Sequence, residues 1–341
     1  MELGLQGSRR DFVVAGSATL LASTIGHGAA GGDDRLAAVI NKAKAFDQMH
    51  ALIIGQHGKI IVSKAFRGPK LDATINVKSV SKSIVASVLG AAIDRGLVTI
   101  DTKLTEIIPD LVPKRSDPKI NSITLAHLVT MTAGLERTSG RNYGRWVNSD
   151  NWVQFALSRP FVSEPGARML YSTGSYHLLG VALARAAGAD LRSLARNWLG
   201  KPLGFALPPW TQDPQGHYMG GNNMGMRLMD VWRFGEMWRL GGIINGEQIL
   251  STEWVRQSWQ PRTFSPFSGD DYGYGWFLSQ LDGQKLAYAR GYGGQMLYIM
   301  SDLGLTIAIS SDPNRPARSH GYAGDLKQWL RDDLLRAVQF S

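Results

Sequence analysis

A serine and a lysine, three residues apart, begin a strongly apolar helical pattern. In "NVKSVSKSIVASVLGAAIDRG", residues 76–96, the run from Ser83 to Ile93 predicts a buried helix, and Ser79 and Lys82 would share one face at its start. A lysine in apolar surroundings is desolvated, which lowers its pKa and makes the neutral amine accessible as a base. Serine is a weak nucleophile until a neighbouring group takes its proton. The spacing therefore predicts a serine nucleophile with Lys82 as its general base.

The same pattern also has a purely structural interpretation. Lys82 can extend to solvent while Ser79 merely caps the helix. An S-x-x-K match is also common by chance, and Ser116 and Lys119 form a second one. The second copy lies in Pro-rich surroundings that predict a loop, so only Ser79 and Lys82 remain a candidate catalytic pair.

Two further segments carry groups that would complete such a pair. Tyr171 and Thr173 lie in a predicted turn before an apolar helix, and a phenol beside a lysine can shuttle a proton between nucleophile and leaving group. In "ARGYGGQMLYIM", three glycines lie where one predicted strand ends and the next begins. Glycines there let a ligand approach the backbone, and the next strand can offer an N–H group to an oxyanion. The alternatives are a buried tyrosine with a satisfied hydroxyl group and a plain hairpin turn.

The predicted elements suggest how these residues are held. Their order is a helix, two strands around His57-Gly58, a long helical block, further short strands and a last amphipathic helix over about 322–338. We predict an α+β fold: one antiparallel sheet of about five strands from both chain ends, flanked by the terminal helices, with a large inserted, mainly helical lobe. The sheet lobe would comprise about 33–78 and 241–341, and the helical lobe about 79–240. The site should lie in the crevice between them.

Residues 1–32 have the pattern of an export signal. Arg9 and Arg10 precede an apolar run from Phe12 to Ile25, and small residues follow around Ala29. The stretch 8–12 resembles a twin-arginine signal, so we expect the twin-arginine export machinery as a partner and a periplasmic or secreted mature chain, 33–341. The apolar run is too short and too polar to span a membrane stably. A frayed basic N-terminus is the alternative.

Composition excludes several classes of protein. The chain has 341 residues, no cysteine and a formal net charge of +9, from 37 basic and 28 acidic residues. Without cysteine there are no thiol nucleophiles. No basic run exceeds two residues, so nucleic acid is not an expected partner. The seven histidines are scattered and there is no H-E-x-x-H, Walker or dinucleotide motif, so we expect no metal and no cofactor. No G-x-S-x-G marks an α/β-hydrolase.

Longer stretches resemble a known superfamily. The Ser79 segment, "ITLAHLVTMTAGL", "EPGARMLYSTGSYHLLG" and the stretch from "GGNNMGMRLMDVW" to "ILSTEWV" are together similar to serine hydrolases of the penicillin-binding and class C β-lactamase superfamily. The resemblance is nearest to its esterase, D-aminopeptidase and 6-aminohexanoate-dimer hydrolase group. It implies a β-lactamase/transpeptidase-like fold, an acylated Ser79, and Lys82 and Tyr171 as the proton-transfer pair.

The resemblance also implies a set of binding groups. Tyr292, Gly293 and Gly294 fall where the superfamily has Lys-Thr-Gly or His-x-Gly. The backbone N–H groups of Ser79 and Gln295 would then form the oxyanion hole, with Gln295 uncertain by one residue.

The segment "RTSGRNYGRWVNSDNWVQF" is expected to line the pocket. Tyr143 and Trp146 would form its walls, whereas Trp152 fits either a wall or the core. Two departures from the superfamily argue against efficient β-lactam hydrolysis. Thr173 replaces an asparagine and Tyr292 replaces a lysine that helps to hold the substrate carboxylate.

These observations predict an exported serine hydrolase that cleaves a small ester or amide substrate, with weak or no β-lactamase activity. A D-aminopeptidase or DD-carboxypeptidase acting on cell-wall peptides is the first alternative. The second is of another class, an inactive relative that binds cell wall or a partner through the same crevice.

Overall fold

A computed structural model describes Met1 and residues 28–338, and of residues 28–33 it describes only the backbone. The predicted twin-arginine motif, residues 8–12, lies outside the described residues. In the described part, no helix is both long enough and apolar enough to cross a membrane.

The strands of the described residues are β1 (Met49–Gln56), β2 (Lys59–Ala65), β3 (Thr74–Asn76), β4 (Gly225–Arg227), β5 (Ile243–Ile244), β6 (Glu247–Gln248), β7 (Thr263–Ser265), β8 (Asp270–Tyr272), β9 (Phe277–Leu281), β10 (Gln284–Gly291), β11 (Gln295–Met300) and β12 (Leu305–Ser311). Their helices are α1 (Gly28–Ala45), α2 (Ser81–Asp94), α3 (Leu104–Ile107), α4 (Leu125–Val129), α5 (Tyr143–Val147), α6 (Trp152–Leu157), α7 (Thr173–Ala187), α8 (Leu191–Ala195), α9 (Lys201–Leu203), α10 (Leu228–Arg239), α11 (Thr252–Ser258), α12 (Tyr322–Trp329) and α13 (Leu335–Val338).

One large antiparallel sheet unites the two ends of the chain. Its order is β2-β1-β12-β11-β10-β9-β8-β7, with β1 from the N-terminal part paired to β12 near the C-terminus. This confirms the predicted α+β class. The sheet has eight strands where the sequence predicts about five, and two of the additional strands, β7 and β8, are only three residues long and carry no recognisable alternation.

Helices cover both faces of the sheet. Successive residues of β11 point to opposite faces. Leu297 lies under α10, where a Cβ on Gly235 would be 2.6 Å from the leucine side chain, whereas Tyr298 stacks with Tyr288 on the side where Lys327 of α12 lies. Helix α10 falls within the predicted helical lobe but packs against β11 and β12. The division into two lobes therefore stays a prediction.

The N-terminal half of α2 is the element that matters for chemistry. The helix is buried along most of its length, from Ser81 to Ala92, as its apolar run predicts. It contacts β10 and α7, and the turn that precedes it, Lys78–Val80, contacts β10 and β11. The start of α2 therefore lies where the sheet meets the helices.

Candidate active site

A short, constrained turn holds Ser79, which is half-buried. Ser79 lies in a 3-10 turn, Lys78–Val80, immediately before α2. Lys78 has φ of +51°, a left-handed conformation that is uncommon for a residue with a side chain. Its N–H donates to Asn76 Oδ1 (2.8 Å) and its carbonyl accepts from Ser81 Oγ (2.6 Å). These bonds hold the turn that places Ser79 at the positive end of α2.

Lys82 lies directly beneath Ser79 and is 2% exposed. Its Nζ lies 3.1 Å from Ser79 Oγ, 3.3 Å from Thr173 Oγ1 and 2.8 Å from the carbonyl oxygen of Gly221. Burial lowers the pKa of Lys82 from 10.5 to about 7. Among the described residues no carboxylate forms an ion pair with it to oppose this effect.

The three oxygen atoms around Lys82 can form hydrogen bonds with both its ammonium form and its neutral amine form. An ammonium group has three N–H donors, one for each acceptor. The neutral amine can keep its bonds to Thr173 and Gly221 and direct its lone pair at the hydroxyl proton of Ser79. The geometry therefore supports proton transfer from Ser79 to Lys82 without rearrangement of the lysine.

Tyr171 lies beside this pair and has the opposite electrostatic character. Its ring centre is 4.9 Å from Lys82 Nζ. Burial raises the pKa of the Tyr171 phenol, and hydrogen bonding to Ser79 and the positive charge of Arg290 only partly oppose the rise. At neutral pH the phenol keeps its proton while Lys82 is close to losing one. Two groups whose pKa values are pushed apart in this way can serve as base and proton carrier.

An open cleft of about 680 Å³ lies above these residues. We call this pocket the cleft; its lining includes Ser79, Tyr143, Tyr171, Thr173, Asn222 and Tyr292. The phenolic oxygen of Tyr143 accepts a hydrogen bond from the Asn222 amide at 2.8 Å. The structure thus brings Tyr143, Tyr171 and Thr173 together around Ser79.

The turn between β10 and β11 reaches the cleft only at its beginning. Gly291 and Tyr292 line the cleft, and Tyr292 is 54% exposed. Gly293 and Gly294, at φ of +85° and +87°, turn away from it. A Cβ on Gly293 would meet the Asp312 carbonyl oxygen at 2.3 Å, so close backbone packing explains the need for glycine there.

Gln295 is buried rather than exposed to the cleft. Its side-chain amide donates to the Ser311 carbonyl (2.7 Å) and its Oε1 accepts the Ser311 N–H (3.2 Å). Within the described residues, the N–H of Tyr292 donates to no backbone carbonyl. Tyr292 lines the cleft whereas Gln295 does not, which favours the N–H of Tyr292 over that of Gln295 as the second donor to an oxyanion.

Trp146 is not a wall of the cleft, which corrects the expectation from sequence. Its side chain is fully buried, and its indole N–H donates to the Trp152 carbonyl at 3.0 Å. It packs edge-on against Tyr143, with ring centres 5.8 Å apart. Its large apolar surface is therefore covered by neighbouring rings, and it supports Tyr143 from behind. Trp152, 4% exposed, also belongs to the core.

Three basic residues of the cleft are not recognisable as site residues from the sequence. Lys78, Arg137 and Arg290 line it, and no Asp or Glu does. Among the described residues none of the three forms an ion pair with a carboxylate. Arg290 donates to Ser319 Oγ and to the Ala317 carbonyl, which fixes its direction. In the sequence these residues are isolated, and only the net charge hints at them.

The second S-x-x-K sequence lies at the surface. Ser116 Oγ donates to the Pro113 carbonyl at 2.7 Å, and the exposed Lys119 pairs with Glu164. The two side chains therefore have separate partners and do not face each other across a cavity. In the described part of the chain, no three His, Asp or Glu side chains cluster as metal ligands would.

Comparison with known proteins gives a family match. The family model described as Beta-lactamase matches residues 43–328. The D-alanyl-D-alanine-carboxypeptidase/endopeptidase AmpH of Escherichia coli (strain K12) is 27% identical over 153 residues, 43% of this chain and 39% of the relative. Esterase EstB of Burkholderia gladioli is 27% identical over 175 residues, 45% of this chain and 44% of the relative. The matched part thus spans about two fifths of each relative.

Solved structures agree in fold. A Bacillus anthracis protein assigned as a 6-aminohexanoate-dimer hydrolase superposes with a TM-score of 0.73. The match covers 87% of this chain and 82% of that one at 17% identity. At this identity the likeness concerns the fold alone.

Proposed function

Because the chain belongs to the beta-lactamase family, we propose that it is a serine hydrolase that cleaves small esters or amides through an acyl-enzyme on Ser79. One observation carries the proposal. Ser79 Oγ lies 3.1 Å from the Nζ of a buried lysine whose pKa is lowered to about 7. A neutral amine at this distance can take the hydroxyl proton as the oxygen attacks.

The proposed acylation step assigns a role to each group. Ser79 Oγ attacks the substrate carbonyl carbon while its proton passes to Lys82. The carbonyl oxygen becomes an oxyanion, which accepts hydrogen bonds from the backbone N–H groups of Ser79 and Tyr292. As the intermediate collapses, Tyr171 gives its proton to the leaving group and recovers one from Lys82. Water then attacks the acyl-enzyme by the reverse proton route and releases the acid.

A second candidate function is cleavage of D-alanine-terminated peptides. It is favoured by the basic character of the cleft. Lys78, Arg137 and Arg290 line the cleft, and no Asp or Glu does. A peptide C-terminus carries a negative charge that such groups can hold. The relative named as a D-alanyl-D-alanine-carboxypeptidase/endopeptidase gives the same candidate.

The first test compares wild type with Ser79→Ala on 4-nitrophenyl acetate and butyrate. Nitrocefin, the linear 6-aminohexanoate dimer and a D-alanyl-D-alanine peptide are assayed in parallel. Ser116→Ala is the matched control, because it removes the serine of the surface S-x-x-K copy. We expect turnover to vanish in Ser79→Ala and to persist in Ser116→Ala.

Labelling with a fluorophosphonate probe separates an enzyme from a binding protein. We expect the probe to modify wild type and Ser116→Ala but not Ser79→Ala. A wild type that is inert to all substrates and unlabelled at Ser79 would overturn the proposal and favour a binding module.

We further propose that residues 1–32 direct export. The proposal rests on the paired Arg9 and Arg10 and the apolar run after them. Cell fractionation of wild type and of an Arg9→Lys/Arg10→Lys variant tests it. Equal distribution of the two between cytoplasm and periplasm would contradict a twin-arginine signal.

A further inference from the structure

A buried histidine and aspartate lie behind the Lys82 site and have no part in the proposed mechanism. His177 is on α7, one turn after Thr173, and its Nε2 is 3.0 Å from Asp213 Oδ2. Both side chains have no exposed surface. The rings of Trp146 and Trp152 pack edge-on against the imidazole, with centres 5.7 and 5.6 Å away.

The hydrogen bonds of this pair determine the tautomer of His177. Asp213 Oδ1 accepts the backbone N–H groups of Gln215 (2.9 Å) and His217 (2.8 Å), while Oδ2 faces His177. Burial alone would raise the pKa of Asp213, but its hydrogen bonds with His177 and with the N–H of His217 lower it, so the carboxylate is ionised and only accepts. Nε2 of His177 therefore carries a proton. Burial lowers the pKa of His177, which leaves Nδ1 with a free lone pair.

That lone pair faces the backbone turn that contacts Lys82. The N–H of Gly220 donates to His177 Nδ1 at 3.4 Å. The next residue, Gly221, offers its carbonyl oxygen to Lys82 Nζ at 2.8 Å, the shortest of the three bonds of the lysine. Three hydrogen bonds, joined through the backbone of Gly220 and Gly221, therefore connect Asp213 to the amine beside Ser79.

The turn fits too tightly to move without disturbing the lysine. Gly221 has φ of +75°, and a Cβ there would lie 2.7 Å from Tyr176 and 2.8 Å from Lys82. A Cβ on Gly220 would lie 2.0 Å from the Tyr176 carbonyl oxygen. A shift of Gly220 would therefore change the direction of the Gly221 carbonyl.

We propose that His177 and Asp213 are positioning residues, which hold the turn of Gly220 and Gly221 so that the Gly221 carbonyl aims the Lys82 amine at Ser79. The catalytic consequence rests on the proposed function, whereas the effect on Lys82 does not. An outer residue that orients a catalytic group in this way typically contributes about 10- to 100-fold to activity, as at metal sites.

The sharpest test is Asp213→Asn, which keeps the side-chain volume. Because the Oδ1 position accepts two backbone N–H groups, the amide oxygen must occupy it and the amide NH₂ must face His177 Nε2. His177 would then carry its proton on Nδ1, where it opposes the N–H of Gly220. The substitution therefore exchanges the donor and acceptor nitrogens of His177 without creating a cavity.

We expect kcat for 4-nitrophenyl butyrate to fall about 10- to 100-fold while KM changes little, because no residue of the cleft is altered. The titration of Lys82 is followed separately by NMR of ¹³Cε-labelled lysine, with the resonance assigned from its absence in Lys82→Met. Its midpoint should move down by about one pH unit, since the ammonium form loses a carbonyl acceptor.

Asp190→Asn is the matched control. Asp190 caps α8 by accepting the Ser193 N–H at 2.9 Å and does not contact the Lys82 site. Because asparagine caps a helix about as well as aspartate, we expect this variant to lose little stability and to keep the wild-type kcat and the wild-type titration of Lys82.

If Asp213→Asn does not fold, His177→Asn and His177→Gln replace it. Asparagine can keep an acceptor near the Nδ1 position, whereas glutamine keeps only a donor towards Asp213. We expect the asparagine variant to be the more active of the two and to titrate closer to wild type.

The outcomes separate this inference from the proposed function. An unmoved Lys82 titration and wild-type kcat in Asp213→Asn would overturn the positioning role while the hydrolase proposal stands. A shifted titration in a protein that hydrolyses nothing would support the positioning role and count against the hydrolase. Equal losses of kcat in Asp190→Asn and Asp213→Asn would also overturn it, because they would indicate general destabilisation.

Discussion

Lys82 combines two properties that are seldom found in one lysine. It is 2% exposed, and among the described residues it has no carboxylate partner. Burial without a counter-charge disfavours the ammonium form, whereas the carbonyl of Gly221 and the hydroxyls of Ser79 and Thr173 still satisfy its hydrogen bonds. The result is an amine that is a usable base near neutral pH.

This environment predicts the pH dependence of the reaction. The neutral amine is the active form, so kcat/KM should rise with pH, with an apparent pKa of about 7, and then level off. Stopped-flow or steady-state rates with 4-nitrophenyl butyrate between about pH 5 and 9 measure it. Lys82→Arg should be inactive throughout, because guanidinium keeps its charge. A wild-type rate that is independent of pH in this range would exclude Lys82 as the base.

At the scale of elements, the fold follows from local patterns more directly than the site does. Helix α2 and the β1–β2 hairpin are predicted because their apolar periodicity and turn residues are contiguous in the chain. The 3-10 turn at Ser79 cannot be predicted in this way. It depends on a positive φ at Lys78 and on hydrogen bonds to Asn76 and Ser81. Local spacing indicates a helix but does not reveal such tertiary constraints.

The composition of the cleft was still harder to predict. The segment around Trp146 indicates a helix but not which neighbours cover it; the tryptophan is fully buried, and three aromatic rings pack against it. Arg137 and Arg290 come from distant parts of the chain and meet only because the fold brings their segments together. Ser79, Lys82 and Tyr171 can be proposed from sequence because two are close together in the chain and all three lie in motifs that resemble those of a known superfamily.

The contact between β10 and the Ser79 turn gives a prediction about Gly291. A Cβ there would lie 2.6 Å from the Val77 carbonyl oxygen and 3.0 Å from Lys78 Cβ. Gly291→Ala should push the strand end from the turn and move the Tyr292 N–H away from the oxyanion. Loss of such a donor lowers kcat by about 10²- to 10³-fold.

Gly283→Ala, at the other end of β10, is the control for Gly291→Ala. Gly283 has φ of +77° and nothing within 4 Å of an added Cβ, so its substitution should cost about 1–2 kcal/mol of stability and leave kcat unchanged. Kinetics and thermal unfolding of both variants check the contrast. Equal kcat values for Gly291→Ala and wild type would argue against Tyr292 as a donor.

At the scale of the whole molecule, charge favours anionic substrates. The chain carries a formal charge of +9, and three basic side chains line the cleft. The mono-4-nitrophenyl ester of adipic acid should therefore have a higher kcat/KM than 4-nitrophenyl hexanoate, which has the same number of acyl carbons. The advantage should shrink as salt is added, because salt screens the attraction.

Arg137→Gln should reduce the preference for the charged ester. Arg141→Gln is the matched control, since the Arg141 side chain is 83% exposed and pairs with Glu136 outside the cleft. Equal kcat/KM values for the two esters in wild type at low salt would contradict a role for the basic residues in substrate choice.

The cost of burying Lys82 should be visible in the stability of the whole protein. In the folded chain its pKa is lowered to about 7, whereas in the unfolded chain it returns to 10.5. Between these values the unfolded state binds the proton and the folded state does not, so protons favour unfolding. The contribution of Lys82 to stability therefore increases as pH rises from about 7 to about 10, by at most about 1.4 kcal/mol per pH unit.

Comparison with Lys82→Met isolates this contribution, because all other titrating groups are shared by the two proteins. The free energy of unfolding, from denaturant titration at several pH values, should shift in favour of wild type across this window. Below about pH 7 the difference between the two should be constant, because Lys82 is then charged in both states of the wild type. A difference that does not change with pH would mean that Lys82 keeps an ordinary pKa in the folded protein, and the base that the hydrolase mechanism needs at neutral pH would be missing.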